Sequence, residues 1–263
     1  MPELPEVETI VRFLKPKLRS KRIISITSNS PRTYRDHKSI SEIKNVAEGE
    51  IVKNIERSGK EIIFELSNKK CLGIHLMMTG KLLLNPKEKG AHDRMEIKFS
   101  GKTKLVFNDI RKFGRCRIIE RMEQKISDAL SLKWKDFFVR IRSRKKPIKS
   151  ILLDQAIISG IGNIYSDEIL WYAGVDPRRH GNSLSQVEIK RIFSSIAKVL
   201  NLAIKKGGTS SRNYRKPDDS EGSYYHIRKV YQRTGEKCKK DKGIIQRVVI
   251  GGRSAHFCPR HQE

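Results

Sequence analysis

The chain has 263 residues, 37% of them hydrophobic, which suits two domains with real cores. Lysine and arginine number 56 against 29 aspartate and glutamate, a net charge of +27 spread along the whole sequence; a folded protein this basic meets a polyanion, with nucleic acid ahead of a membrane surface. No stretch reaches the roughly 18 apolar residues of a spanning helix, no signal peptide opens the chain, and four cysteines make no disulfide framework, so a monomeric, cytoplasmic, reduced protein is expected.

From Glu3 to about Arg19, Leu4, Val7, Ile10, Val11 and Leu14 recur at helical spacing. Short β-rich segments follow, at 23–26, 51–52, 61–66, 72–76, 94–99, 104–107 and 115–119, separated by turn residues as in a sandwich or barrel. Near residue 125 the pattern changes, and helices are predicted over about 128–140, 147–158, 164–173 and 184–206. Residues 207–223 read as a loop rich in Gly, Ser, Asp and Pro. The tail reads as a small β-hairpin module held by something other than a core. The fold class is therefore α+β, with domains over 1–124, 125–223 and 224–263.

The opening run Pro2-Glu3-Leu4-Pro5-Glu6-Val7-Glu8 has two readings. One is a plain helix start, with proline in the first turn and acids complementing the dipole. The other is covalent chemistry. Removal of Met1 leaves Pro2 as a secondary amine whose pKa, about 8, keeps a useful fraction nucleophilic near neutral pH. Glu3 and Glu6 then stand by to move protons.

Other segments also carry two readings. Gly160-Ile161-Gly162-Asn163 is a glycine turn entering a helix, either a phosphate seat or a plain corner. Lys60, in Arg57-Ser58-Gly59-Lys60, either pins a phosphate or is solvated surface. Met78 and Phe113 lie in glycine-ended turns after strands, where they either wedge into a duplex or fill the core. Cys238-Lys239-Lys240-Asp241 and Cys258-Pro259-Arg260-His261 repeat a two-residue spacing, as zinc ribbons do. Asp241 and His261 stand where thiolates are usual, so a metal-free finger is the alternative. Cys71 and Cys116 read as buried small hydrophobes.

Taken in order, MPELPEVET, RSGK, IHLMMTG, NDIRKFG, ISGIGNIYSDE, the GGT loop, VYQRTGE and the C-terminal finger resemble the formamidopyrimidine-DNA glycosylases over nearly the whole chain. The resemblance implies an N-terminal β-sandwich domain, a helix–two-turn–helix domain and a C-terminal zinc-finger-like hairpin, with double-stranded DNA in a basic cleft. It implies a glycosylase and abasic-site lyase of base-excision repair that removes oxidised purines. Leu4 favours the purine branch over the endonuclease VIII type, which acts on oxidised pyrimidines. The implied roles are Pro2 as nucleophile, Glu3 as proton carrier, Glu6 as support and Lys60 on the phosphate beside the lesion. Met78, Arg111 and Phe113 fill the duplex, with Arg111 facing the orphaned cytosine. His92, Asn163 and Arg253 also contact DNA, and residues 207–223 close over the flipped base. One Zn²⁺ is implied at Cys238, Asp241, Cys258 and His261. Ile110 and Lys112 depart mildly from the family's usual Pro and Arg. A non-catalytic lesion or abasic-site binder, and a basic RNA-associated protein, are the rivals from other classes.

Overall fold

The computed structural model describes residues 1–120, 128–210 and 214–263. The expected boundary at 124/125 and residues 211–213 of the loop lie outside the described residues. The chain divides into two compact units, Met1–Gln124 with Lys206–Tyr225, and Lys125–Lys205 with His226–Glu263.

The first unit opens with helix α1 (Leu4–Leu18). Two antiparallel four-stranded sheets follow. One has the order β1-β6-β7-β5, from β1 (Ile23–Ser28), β5 (Lys81–Leu84), β6 (Asp93–Phe99) and β7 (Thr103–Asn108). The other has the order β2-β3-β4-β8, from β2 (Val52–Ser58), β3 (Glu61–Leu66), β4 (Cys71–His75) and β8 (Arg115–Ile119). Helix α1 lays Val7, Ile10, Val11, Leu14 and Leu18 into a core shared with Ile55, Phe64, Leu72, Ile97 and Phe107. Burial of such a stripe is what holds a helix of this length. Helix α2 (Ile40–Ala47) and strand β5 are too short to stand out in the sequence; Ile43, Ala47 and Leu82 seat them in the same core.

Residues 207–223 were expected to belong with the helices, whereas Lys206–Tyr225 group with the sandwich unit. The reasons are local. Edge strand β5 donates Leu84 N–H to the Pro217 carbonyl at 2.8 Å, and Tyr214 enters the sandwich core.

The second unit holds α3 (Trp134–Arg142), α4 (Ile148–Leu153), α5 (Asn163–Ala173) and α6 (Gln186–Lys205), then the hairpin β9 (Gln246–Ile250) and β10 (Arg253–Phe257). Two predicted helices are shorter than expected because aspartates turn the chain. Asp128 accepts the Leu130 N–H at 3.1 Å, so α3 starts at Trp134 rather than near 128. Asp154 accepts the Ala156 N–H at 3.0 Å and ends α4 at Leu153 rather than 158. At the start of α6, Glu188 accepts the Ser185 N–H at 2.7 Å while Ser185 Oγ accepts the Glu188 N–H at 3.3 Å. Burial alone would raise the Glu188 carboxyl, but Ser185 and Arg179 outweigh it and hold it below its ordinary value of 4.5. A depressed carboxylate contributes stability above its unfolded pKa and loses it as pH falls. Thermal denaturation from pH 6 down to pH 3 is therefore expected to show a falling midpoint, and Glu188→Gln to flatten that fall.

Candidate active site and nucleic-acid interface

The N-terminal residues are drawn together by one carboxylate. Glu3 caps α1, and its N–H donates to Glu6 Oε2 at 2.8 Å, completing a capping box. The other oxygen, Glu6 Oε1, accepts the Thr209 N–H at 2.8 Å, across 203 residues of chain. Gly208 has φ +84°, and a Cβ there would stand 2.9 Å from Glu6 Oε1 and 3.0 Å from Tyr214 Cε1, so the latch requires glycine. Burial, and then the Glu6 charge, hold the Tyr214 phenol protonated, well above its ordinary value. Glu3 is 3% and Glu6 1% exposed, and Pro2 is buried beside them. The helix-start reading of Glu6 holds: it caps the helix, and it fixes the first residues in space.

Lys60 sits in a two-residue hairpin turn, since Ser58 pairs with Glu61 and Gly59 has φ +59°. Arg57 and Ser58 of the same motif belong to β2. Arg57 ties this turn to α1, donating to Glu8 Oε2 at 3.0 Å and to the Gly59 carbonyl at 3.1 Å. The turn that carries Lys60 is thus fixed to the helix that carries Glu3 and Glu6.

Met78, Arg111 and Phe113 are exposed, at 40% for Met78 and 37% for Phe113, so neither side chain is core packing. The Arg111 guanidinium lies over the Phe113 ring, 4.5 Å from its centroid. His92 is exposed at the start of β6, with Nδ1 accepting from Arg94 at 3.2 Å.

In the second unit, Gln155 shapes the glycine turn, accepting the Gly160 N–H at 3.0 Å and donating to the Ile161 carbonyl at 2.7 Å. Asn163 begins α5, and its buried amide oxygen has no hydrogen-bond partner among the described residues. Arg253 is exposed at the hairpin tip, just after the Gly251-Gly252 turn. The next residues of α5 are structural. Glu168 accepts the N–H groups of Lys229, Val230 and Tyr231 at 2.8 to 3.0 Å, yet burial outweighs these bonds and raises its pKa.

The finger brings together three of the four proposed metal ligands. One Sγ each from Cys238 and Cys258 and one Asp241 oxygen lie within 4.8 Å of one another. Two thiolates and a carboxylate suit zinc's borderline character. Gly243 leaves them room, since a Cβ there would stand 2.8 Å from Cys258 Sγ. Trp171 donates its indole N–H to Cys238 Sγ at 3.3 Å, a directed contact onto one of the candidate ligands. His261 stands apart from this trio: its Nε2 donates to the Trp171 carbonyl at 2.9 Å, satisfying an acceptor at the end of α5.

Comparison with known proteins now settles the family. The profile of the formamidopyrimidine-DNA glycosylase N-terminal domain matches residues 1–116, and that of the family's H2TH domain matches residues 127–215. The formamidopyrimidine-DNA glycosylase of Carboxydothermus hydrogenoformans is 38% identical over all of both chains. The chain belongs to the formamidopyrimidine-DNA glycosylase family. The Ligilactobacillus salivarius member is 37% identical over all of this chain and 99% of its own. Two solved structures of the Lactococcus lactis protein are similar throughout. One, with DNA containing an abasic site, has a TM-score of 0.90 at 34% identity over 99% of each chain. The other, a variant with Fapy-dG-containing DNA, has a TM-score of 0.91 at 35% identity over all of each.

Sequence reasoning missed the buried polar residues that brace the candidate residues within each unit. Thr209, Tyr214, Thr79 and Asp109 in one unit, and Lys149, Asp167 and Glu168 in the other, are buried polar groups with specific partners. The available signal was a polar residue beside a glycine within a motif, as in Gly208-Thr209 and Thr79-Gly80.

Proposed function

We infer that this family member is a bifunctional DNA glycosylase and abasic-site lyase of base-excision repair, acting on oxidised purines in double-stranded DNA. The observation that carries the reading is the Glu6 latch, which clamps the residue after Pro2 and the Gly208-Thr209 loop to one carboxylate. With Pro2 as the first residue, its amine attacks C1′ of the extruded nucleotide. The glycosidic bond breaks, and its electron pair leaves with the base. The amine loses its proton, Glu3 gives a proton to O4′ as the C1′–O4′ bond opens, and the resulting Schiff base allows elimination of the flanking phosphates. Lys60, Asn163 and Arg253 hold backbone phosphates, for which a net charge of +27 supplies the long-range attraction. Met78, Arg111 and Phe113 fill the stack, offsetting a flipping cost of a few kcal/mol. His92 contacts DNA beside them. Acting on chromosomal DNA puts the enzyme in the cytoplasm with the nucleoid; no described helix is long and apolar enough to cross a membrane.

Zinc, held by Cys238, Asp241 and Cys258 with His261 as the remaining donor, would cross-link the finger as a structural ion. Purified protein is expected to carry one zinc by atomic emission, released by chelators more readily than from four thiolates. Cys258→Ser is expected to carry none.

The test of function is borohydride trapping on a duplex with 8-oxoguanine opposite cytosine. A covalent adduct that Pro2→Gly loses supports the reading. Trapping on an oxidised-pyrimidine duplex instead would move the enzyme to the endonuclease VIII branch. No adduct on either would leave a lesion binder.

A further inference from the structure

Asp109 is 1% exposed and lies at the end of β7, where no catalytic role falls to it. Its carboxylate is nonetheless fully used, on the turn that carries Arg111 and on Thr79 beside Met78. Oδ1 accepts from the Thr79 hydroxyl and from the Arg111 N–H, the latter at 3.2 Å. Oδ2 accepts the Gly114 N–H at 2.8 Å, closing the turn that carries Arg111 and Phe113. Its backbone N–H donates to the His92 carbonyl at 2.9 Å, and its carbonyl accepts from Arg94 Nε at 2.8 Å. Thr79 is 6% exposed, follows Met78 directly, and also accepts the Arg111 N–H at 3.2 Å.

Both turns are conformationally demanding. Met77 has φ +51° and Lys112 φ +56°, left-handed values that non-glycine residues hold only when their surroundings over-determine them. Gly80 and Gly114 leave no room to relax, since a Cβ would stand 2.7 Å and 2.3 Å, respectively, from the Phe107 ring beneath them. Turns of this kind would ordinarily move independently. Here a single buried carboxylate and a single buried hydroxyl join them.

We propose that Asp109 and Thr79 are a positioning pair that fuses the Met78 turn, the Arg111–Phe113 turn and the His92 corner into one preformed wedge, so that the duplex meets a rigid reader. This rests on the reading of Met78, Arg111 and Phe113 as the groups that fill the duplex. The chemistry is electrostatic. A buried carboxylate charge accepts three N–H or O–H donors in fixed directions, and such charge-assisted bonds are short and directional. The pair touches no substrate; it fixes where Arg111 stands against the orphaned base.

The test uses the whole enzyme and three variants. Thr79→Val keeps the shape and removes the hydroxyl, Thr79→Ser restores the hydroxyl, and Arg111→Ala removes the reader. Single-turnover excision of 8-oxoguanine is measured opposite cytosine and opposite adenine, with elimination at a preformed abasic site alongside. Loss of a hydrogen bond to a buried charge corresponds to about tenfold or more. Thr79→Val is expected to slow excision opposite cytosine about tenfold, to narrow the cytosine-over-adenine ratio, and to slow abasic-site elimination less than excision. Thr79→Ser is expected to recover most of the ratio. If Arg111→Ala narrows the ratio while Thr79→Val leaves it at the wild-type value, the pairing is overturned. Equal slowing of excision and elimination in Thr79→Val, with the ratio kept, also overturns it, since that marks a general structural defect. If Arg111→Ala itself leaves the ratio intact, the underlying wedge reading fails, and the proposal with it.

Discussion

An enzyme extended by two residues ahead of Pro2 is expected to give no borohydride-stable adduct with an 8-oxoguanine duplex, while the chain that begins at Pro2 gives one. The extension changes a single atom's chemistry. In the mature chain the Pro2 nitrogen is an amine with a pKa of about 8, so roughly a tenth to a quarter is unprotonated near neutral pH. In the extended chain it is an amide nitrogen whose lone pair is delocalised into the carbonyl. The surroundings make the test sharp. Glu3 N–H is fixed on Glu6 at 2.8 Å, which holds the backbone next to Pro2 in place. Glu3→Gln is the companion variant. Its amine is intact but the proposed proton carrier is gone, and excision is expected to slow by about 10²–10⁴-fold. Gel shift on abasic-site DNA, run in parallel, separates lost chemistry from lost binding. An extended chain that traps as well as the mature one would remove Pro2 from the mechanism and point to a lysine.

The readable part of the molecule was the part that repeats a short-range rule. Helix α1 follows from Leu4, Val7, Ile10, Val11 and Leu14, and the strand pairs follow from alternation and turn residues. The exposure of Met78 and Phe113 could not be read from spacing, because an apolar side chain after a strand usually packs inward. It was the order of motifs that pointed outward. The pairing of Glu6 with Thr209 could not be read either, since no periodicity links residues so far apart. The sequence placed the 207–223 segment with the helices by adjacency, and Tyr214 and Pro217 bind it to the sandwich instead. For the metal, spacing identified Cys238, Asp241 and Cys258, but not the competing hydrogen bond that draws His261 to the Trp171 carbonyl.

Lys149→Met is expected to destabilise the second unit by about 3–5 kcal/mol, the usual cost of breaking a buried ion pair from one side. Lys149 and Asp167 side chains are both fully buried and paired. Lys149 also donates to Ser166 Oγ at 3.2 Å, and Asp167 Oδ2 accepts the His256 N–H at 3.0 Å with the His256 ring at 2.8 Å. Asp167 is therefore the post on which strand β10 hangs, one residue before the Glu168 carboxylate that holds residues 229–231. The hairpin buries Ile250, Ala255 and Phe257, and beside it Trp171, Val230, Cys238, Ile245 and Cys258 form a small cluster. In a protein of this size the loss corresponds to a fall in melting temperature of about 10 °C. Hydrogen exchange would locate the effect, with β10 amides losing protection before those of α6. Adding Asp167→Asn to Lys149→Met removes the stranded charge but keeps an acceptor for His256, so the double variant is expected to regain part of the loss. A loss below about 1 kcal/mol would instead mean that Glu168 and the apolar cluster suffice to dock the finger.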